Sequence, residues 1–345
     1  MLLKRHIIFI WILLLITLIS LFIIDILLGS VRLPIKEVLR IIFTGQSDHP
    51  EYLTIIYKFR VPKALTALIA GFALSVSGLQ MQTVFKNPLA GPYVLGISAG
   101  ASLGVALLVM GISTFSVVSQ IGVIGNWSIV IAAWLGSGLI LFLILIISVR
   151  VKDIMTILIL GIMFGSATSA VVNILQYFSN ESMLKAFIVW TMGSLGGVSL
   201  TQLKVLFPSV IIGLLITFML IKILNAMLVG ENYAKSMGLN IRLSRFLIFL
   251  STSLLAGSVT AFCGPIGFIG IAVPHIARIV FKSANHKILL PGTMIIGGIV
   301  LLLSDIISQL PGSEKTLPIN SITALVGIPI VIWIIIRNQK ITPVS

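Results

Sequence analysis

The stretch FKNPLAGPYVLGISAGAS, residues 85–102, lies between two long apolar runs and decides how the chain is organised. Pro88 and Pro92 lack backbone donors and restrict the residues before them, so the preceding helix cannot continue from Asn87 to Pro92. Irregular backbone at a membrane boundary must be buried in protein or line a wet cavity. The small residues that follow would let the next helix approach a neighbour closely; they are Gly96, Ser98, Ala99, Gly100, Ala101 and Gly104. Two interpretations stay open on physics alone: a tight turn before a packing helix, or part of a pathway.

The composition around this stretch is that of an integral membrane protein. Of the 345 residues, 58% are hydrophobic and 9% are charged, and the mean hydropathy is +1.18, whereas soluble domains are about half apolar and a quarter charged. Because a spanning helix needs about 20 apolar residues, we predict one all-α membrane domain over residues 1–345 with about ten transmembrane helices. The spans are predicted at 7–28, 62–84, 92–112, 128–148, 154–178, 204–224, 243–262, 266–281, 288–310 and 319–336, with a shorter apolar piece at 187–195.

Charge and residue usage exclude several function classes. One cysteine, Cys263, and four scattered histidines offer no disulfide, metal or redox site, so we predict no metal and no cofactor. The net charge of +14 resides at the ends of apolar runs, where it contacts lipid headgroups and fixes orientation, so no nucleic-acid partner is predicted. Most Lys and Arg lie on the inner side if both termini are cytoplasmic, which is therefore the predicted topology. The outer segment 32–63 is basic against this rule.

A faint internal repeat also appears in the pattern of small residues. Ala70-Gly71 followed by Gly78 has the same spacing as Ala256-Gly257 followed by Gly264, in spans predicted to run in opposite directions. Inverted repeats of this kind are common in transporters.

Four segments carry a resemblance to a known family. They are Arg60-Val-Pro-Lys63, NPLAGPYVLGISAGA at 87–101, GPIGFIGIAVPHIAR at 264–278 and LVGIPIVIWII at 325–335. In order and spacing, over nearly the whole chain, they resemble the permease subunits of bacterial ABC importers for iron chelates, haem and cobalamin. The resemblance implies a cobalamin-importer-type permease (a type II importer) in the inner membrane. Its implied partners are a second permease, identical or similar, two cytoplasmic ABC ATPase subunits, and an extracytoplasmic substrate-binding protein.

The resemblance also implies roles for two cytoplasmic segments. Asn87, Pro88 and Leu89 match the turn at the cytoplasmic gate, and Leu158 in the fifth span matches a further gate position. The segment LVGENYAKSMGLN, residues 228–240, is expected to form a short surface helix, because Glu231 and Lys235 are four residues apart and Gly238 suits a helix end. Within it, the positions that match the family's ATPase-coupling segment, and the lysine beside them, are Gly230, Glu231, Ala234, Lys235 and Gly238.

Two further sets of residues are assigned with an alternative left open. Arg60 and Lys63 match basic positions that dock the binding protein, while snorkelling to headgroups would also explain them. Gln309 occupies a third basic position of the family, and Lys315 lies nearby. In the fifth span, Ser166, Ser169, Asn173 and Gln176 share one helical face and line the pathway or pack against a neighbour. Asp305 is expected to pair locally with a neighbouring span.

The chain carries no phosphate-binding G-x-x-x-x-G-K-[ST] string, so ATP hydrolysis is assigned to partner subunits and the chain is predicted to be non-catalytic. We predict a permease subunit that imports an iron-siderophore complex, with haem and cobalamin as alternatives. An ion-coupled secondary transporter is less favoured, because few titratable groups lie near the midplane. A membrane-embedded enzyme would need a nucleophile and base or a metal-ligand set, which the sparse polar residues do not supply.

Overall fold

The computed structural model describes residues 2–29, 31, 33–111, 125–151, 153–309 and 316–339, and the regular structure in these ranges is helical. The α-helices are α1 (Leu2–Leu27), α2 (Ile35–Thr44), α3 (Pro50–Thr54), α4 (Val61–Val84), α5 (Ile97–Ala106), α6 (Gly125–Arg150), α7 (Ile154–Tyr177), α8 (Glu181–Thr191), α9 (Leu200–Met219), α10 (Ile221–Val229), α11 (Glu231–Ser236), α12 (Ile241–Cys263), α13 (Ile269–Phe281), α14 (His286–Ser308) and α15 (Ile319–Gln339). Two π-helical segments, Ile55–Arg60 and Leu107–Gly111, and a 3-10 turn, Pro92–Leu95, complete the set.

The predicted apolar spans coincide with helices. In the described ranges, seven helical stretches are long and apolar enough to cross a membrane, and three shorter apolar ones account for the remaining predicted spans: Ile97–Gly111, Ile269–Phe281 and Ile319–Trp333. The span predicted at 204–224 is two helices, α9 and α10, which meet at Leu220. The shorter apolar piece at 187–195 overlaps the end of α8.

The helix break at residues 85–102 is confirmed. Helix α4 ends at Val84, the chain turns, and Gly96 adopts a left-handed φ of 73° immediately before α5. The predicted close approach of the following helix is also present, because a Cβ on Gly100 would lie only 2.5 Å from the carbonyl oxygen of Gly136 in α6. Small residues therefore bring the backbones of α5 and α6 into contact.

The chain separates into two compact units, which divide α4 and α9 between them. The first comprises Met1–Val76, Ser194–Phe207 and Ile266–Ser345. Within it α14 packs against α1, α13 and α15. The first half of α4 contacts α14 at two glycines, Gly71 and Gly297, where a side chain would collide with backbone. A buried cluster of Ile26, Val38, Ile41, Ile56 and Ala64 joins the segment between α1 and α4 to this unit.

The second unit comprises Ser77–Gly193 and Pro208–Pro265. Its core is formed by α5, α6, α7 and α12. A buried polar network crosses it. The side-chain nitrogen Nε2 of Gln80 donates to Thr217 Oγ1 (3.0 Å) and Ser251 Oγ (2.8 Å). Its side-chain oxygen Oε1 accepts from Thr252 Oγ1 (2.8 Å). Because each polar atom of the Gln80 side chain has a partner, the network specifies how α4, α9 and α12 meet.

The two copies of the small-residue repeat differ locally. Gly264 ends α12 with a φ of 73°, whereas Gly78 lies inside α4. Gly71 contacts backbone of α14, whereas the nearest side-chain atom to a Cβ on Gly257 is Ser137 Oγ at 3.6 Å. The glycines at matching positions therefore have different local surroundings, and the inverted repeat stays a prediction.

Candidate functional site

An open groove of about 760 Å³ lies in the second unit, between α5, α7 and the turn that precedes α5. Its polar lining consists of Tyr93, Ser98, Ser102, Ser166, Ser169 and Asn173. Three residues of the polar face predicted on α7, Ser166, Ser169 and Asn173, are therefore in this wall. Gln176, the fourth member of that face, lies further along α7 and outside the lining.

The groove combines apolar surface with neutral polar groups, and its described lining carries no charged side chain. The described side chains that line it offer hydroxyl groups and one amide, interspersed with glycine, alanine and a few larger apolar groups such as Val94 and Phe187. Such groups form hydrogen bonds with a ligand but provide no ion pair to hold it.

Glycines set the width of this groove. A Cβ on Gly161 would collide with the carbonyl oxygen of Val94, so α7 and the Pro92–Leu95 turn touch through their backbones. On α5, Gly100 and Gly104 contact α6, whereas Ser98 and Ser102 line the groove. From the sequence, Ser98 belongs to the small residues expected to allow close approach of a neighbour, in a segment for which packing and pathway roles both stay open, and Tyr93 and Ser102 receive no role. Ser98 and Ser102 are four residues apart, a spacing that places both on the same side of a helix and could have indicated a polar face on α5.

The turn predicted at the gate contains two local hydrogen bonds to Asn87. The Asn87 side-chain oxygen accepts from the Leu89 N–H (2.9 Å), and its backbone carbonyl accepts from the Ala90 N–H (3.0 Å). Lys86 adopts a left-handed φ of 48°, and Pro88 and Leu89 are exposed. Leu158 is partly buried near the start of α7 and outside the groove lining. The gate role of Asn87, Pro88, Leu89 and Leu158 stays a prediction.

The short helix predicted at 228–240 is confirmed as α11. Gly238 follows it with a φ of 83°, the Gly238 N–H donates to the Lys235 carbonyl (3.0 Å), and the Leu239 N–H donates to the Ala234 carbonyl (3.2 Å). These two hydrogen bonds form a Schellman motif, a helix C-terminus that favours glycine. At the other end Gly230 has a φ of 149°. Glycines therefore bound the helix on both sides.

The carboxylate of Glu231 pairs with Arg245 of α12. Arg245 Nε donates to Oε1 (2.8 Å) and Nη2 to Oε2 (2.5 Å), while Nη1 donates to the Val151 carbonyl oxygen (3.3 Å). The Arg245 side chain is only 3% exposed, against 27% for Glu231. From the sequence alone, Arg245 is simply one of the basic residues on the predicted inner side, because its partner lies outside its own helix.

Asp153 begins α7 next to this cluster. Its carboxylate accepts from the Thr156 hydroxyl (2.7 Å), the Thr156 N–H (2.9 Å) and the Met155 N–H (3.3 Å), which makes it the N-cap. The hydrogen bonds from Thr156 and Met155, with a smaller effect of the positive Arg245, lower the pKa of Asp153. The start of α7 is therefore fixed by an ionised cap.

Arg60, predicted as a docking residue, is buried. Its guanidinium donates to the backbone carbonyl oxygens of Ile26 (2.9 Å), Leu27 (2.8 Å) and Val31 (2.5 Å). These carbonyls lie at and just beyond the end of α1, where the last turn lacks intrahelical donors. Arg60 is thus the cap of α1. A residue that docks a binding protein should be exposed, whereas Arg60 is only 7% exposed.

Lys63, the second predicted docking residue, is paired inside the same unit. Its ammonium lies 2.9 Å from Asp305 Oδ2, and the Gln309 amide nitrogen donates to Asp305 (3.1 Å) and to Asp25 (2.8 Å). The local pairing predicted for Asp305 is confirmed. Gln309 belongs to this internal cluster, and Lys315 lies outside the described residues.

The remaining basic residues of the outer segment divide into two groups. Arg40 forms ion pairs, with its Nη1 lying 2.7 Å from Asp48 Oδ2 and 3.6 Å from Glu37 Oε1. Lys36 and Lys58 are exposed and have no ion-pair partner in the described part of the segment. Arg32 falls outside that part.

Comparison with known proteins adds three findings. The model of the FecCD transport family matches residues 13–337. The vitamin B12 import system permease protein BtuC of Klebsiella pneumoniae is 36% identical over 285 residues, which cover 82% of this chain and 83% of that protein. YvrB of Bacillus subtilis, an uncharacterised ABC transporter permease protein, is 31% identical over 323 residues, or 90% and 89% of the two chains.

A solved structure matches as well. It is described as an inward-facing conformation of a metal-chelate type ABC transporter, with a TM-score of 0.81 and 27% identity, covering 94% of this chain and 97% of that one. Both the length of the family match and the 36% relative identify the same group of proteins. The chain therefore belongs to the FecCD transport family and is the multi-pass membrane permease of an ABC importer.

Proposed function

We propose that this permease imports a large metal chelate across the cytoplasmic membrane as half of a dimer, with its groove forming one side of the pathway. The observation that carries the proposal is the lining of the groove, in which neutral hydroxyl and amide groups are interspersed with apolar ones and no charged side chain is described. A wall of hydroxyl and amide groups lets a bulky ligand exchange hydrogen bonds with water as it passes, and offers no ion pair that would retain it.

Two ligands of this class have support. A ferric siderophore is the ligand expected from the sequence, and the metal-chelate description of the matched structure agrees with that class. Cobalamin is supported by the 36% identical relative, which is named for vitamin B12 import. Haem is the third member of the set. The groove favours none of them by charge.

The partners follow from the same proposal. Two ATPase subunits supply ATP hydrolysis and contact α11, whose proposed coupling residues are Gly230, Glu231, Ala234, Lys235 and Gly238. An extracytoplasmic binding protein delivers the ligand, and both termini are cytoplasmic. Because Arg60 and Lys63 are engaged internally, the exposed Lys36 and Lys58 are the proposed first contacts for an acidic face of that protein.

The test is uptake of labelled ferric siderophores, haem and cobalamin, side by side, in a strain that lacks the gene and in the same strain with it restored. Restored uptake of one chelate identifies the ligand. Uptake of none of the three, in a strain without a second importer for them, would reject the chelate proposal.

A groove variant connects that uptake to the site. Ser169→Leu fills the wall and should reduce uptake by about tenfold, equivalent to about 1.4 kcal/mol. Ser182→Leu, an exposed serine on α8 outside the groove, is the matched control. Equal uptake by both variants at equal membrane levels would remove the groove from the pathway.

A further inference from the structure

A single guanidinium joins three segments of the second unit. Arg245 belongs to α12, binds both carboxylate oxygens of Glu231 at the start of α11, and donates to the carbonyl of Val151, two residues before the cap of α7. The start of α7 is far from the other two segments along the chain, since Val151 and Arg245 are 94 positions apart, whereas Glu231 and Arg245 are 14 apart. Arg245 is therefore the shared contact of α11 and the α7 start.

We propose that Arg245 is a positioning residue that transmits movement of α11 to α7, and so from the ATPase side of the permease to the groove wall. The inference rests on the proposed function, in which α11 is the segment that contacts the ATPase. It adds a residue that neither the family match nor the sequence analysis assigned to coupling.

The flanks of α11 make such a link necessary. Gly230 and Gly238 have φ values of 149° and 83°, which are backbone conformations open to glycine and strained for other residues. A six-residue helix between two such joints has few restraints of its own. Its buried Ala234 and the Glu231 carboxylate are therefore the anchors that determine its position.

The receiving helix is suited to carry the movement. Asp153 caps the first turn of α7 through three hydrogen bonds, and the helix runs unbroken from Ile154 to Tyr177. Ser166, Ser169 and Asn173 lie on this same helix in the groove wall. Because an unbroken helix moves as a rigid element, a shift of its first turn displaces the polar wall.

Arginine is the side chain that fits this task. The planar guanidinium uses two donors for the carboxylate and a third for the carbonyl, in a fork that lysine cannot reproduce. Within the described ranges, the charged groups that face it include Glu231 from α11 and, at longer range, Asp153 from α7. A lysine would keep the charge and could satisfy one partner at a time.

The test compares Arg245→Met, Arg245→Lys and the control Arg242→Gln, which alters an exposed arginine one turn earlier on α12. Each permease is purified with its ATPase, reconstituted with the binding protein, and assayed for ligand imported per ATP hydrolysed. We expect Arg245→Met to lower that ratio by about tenfold, a common size for coupling between sites. Arg245→Lys should fall in between, and Arg242→Gln should match the original protein.

The exchanged pair, Glu231→Arg with Arg245→Glu, separates the two halves of the link. It restores an ion pair between α11 and α12, but a glutamate cannot donate to the Val151 carbonyl. We expect the import ratio, counted per ATP hydrolysed by the complexes that retain their ATPase, to stay low. Full recovery of the ratio would overturn the proposal, because the contact to the α7 start would then be dispensable.

A second measurement distinguishes failure of the inference from failure of the proposed function. Tyr233→Ala and Lys235→Glu alter the exposed surface of α11 without touching Arg245. If the ATPase co-purifies normally with both changes combined, α11 is not the coupling segment. If the ATPase is lost from that variant while Arg245→Met imports with an unchanged ratio, α11 couples and Arg245 does not transmit.

Discussion

Arg60 in the first unit and Arg245 in the second are both buried arginines, and their partners differ. The acceptors described for Arg60 are three backbone carbonyls at the end of α1. Arg245 combines one backbone carbonyl with a carboxylate on another helix. A backbone acceptor cannot leave without unfolding the segment, whereas a side-chain carboxylate moves with its helix. The first arrangement suits a fixed cap, and the second suits a contact between parts that move.

The largest effect is expected from the fixed cap. Arg60→Met leaves three backbone carbonyl groups, one in a buried contact and two in partly buried ones, without this donor and should lower the free energy of unfolding by about 3 kcal/mol. Unfolding of the purified permease in detergent, followed by heat or denaturant, measures the change. Lys58→Met, an exposed neighbour two residues earlier, is the matched control.

A loss below about 1 kcal/mol for Arg60→Met would contradict the cap, since exposed sites give changes of that order or less. Wild-type stability combined with weaker binding-protein docking would instead return Arg60 to the surface role expected from the sequence.

An intermediate effect is expected from the carboxylate pair of the first unit. Lys63→Met leaves Asp305 buried beside Asp25 and should cost about 2 kcal/mol of unfolding free energy. Adding Asp305→Asn removes the unpaired charge and should recover about half of that loss. The same unfolding assay provides a double-mutant cycle. If the two losses simply add, Lys63 and Asp305 act independently and the pairing contributes no coupling energy.

The smallest effect is expected at the end of α11. Gly238→Ala should destabilise that helix by about 1 kcal/mol, because its φ of 83° is strained for alanine while a Cβ there meets no atom within 4 Å. Hydrogen exchange at the Gly238 and Leu239 amides measures the change, with Gly238→Asn as the milder variant. If hydrogen exchange also became faster along α7, the contact through Arg245 would couple the stability of α11 to that of α7 more strongly than we expect.

Features set by local sequence were the ones that could be predicted. Apolar runs of membrane length predicted the spans, the prolines at 88 and 92 predicted the break, and Gly238 predicted the end of α11. In each case the cause lies within a few residues of its effect.

The side-chain contacts across the fold could not be predicted in this way. Arg60 reaches carbonyls 29 to 34 positions away, and Gln309 bonds Asp25 across 284 positions. Residue type alone suggested a surface role for Arg60. Its burial also depends on Gly29, where a Cβ would lie 2.8 Å from the guanidinium. Spacing contains no information about such neighbours.

The backbone contact between Gly161 and the Val94 carbonyl has a consequence for how this permease can diversify. Because the two backbones touch with no side chain between them, no residue larger than glycine fits at position 161 unless a helix moves. Adaptation to a ligand of another size must therefore occur at neighbouring wall positions such as Ser98, Ser169 and Asn173. Sequence variation among importers that share this contact should concentrate at those positions.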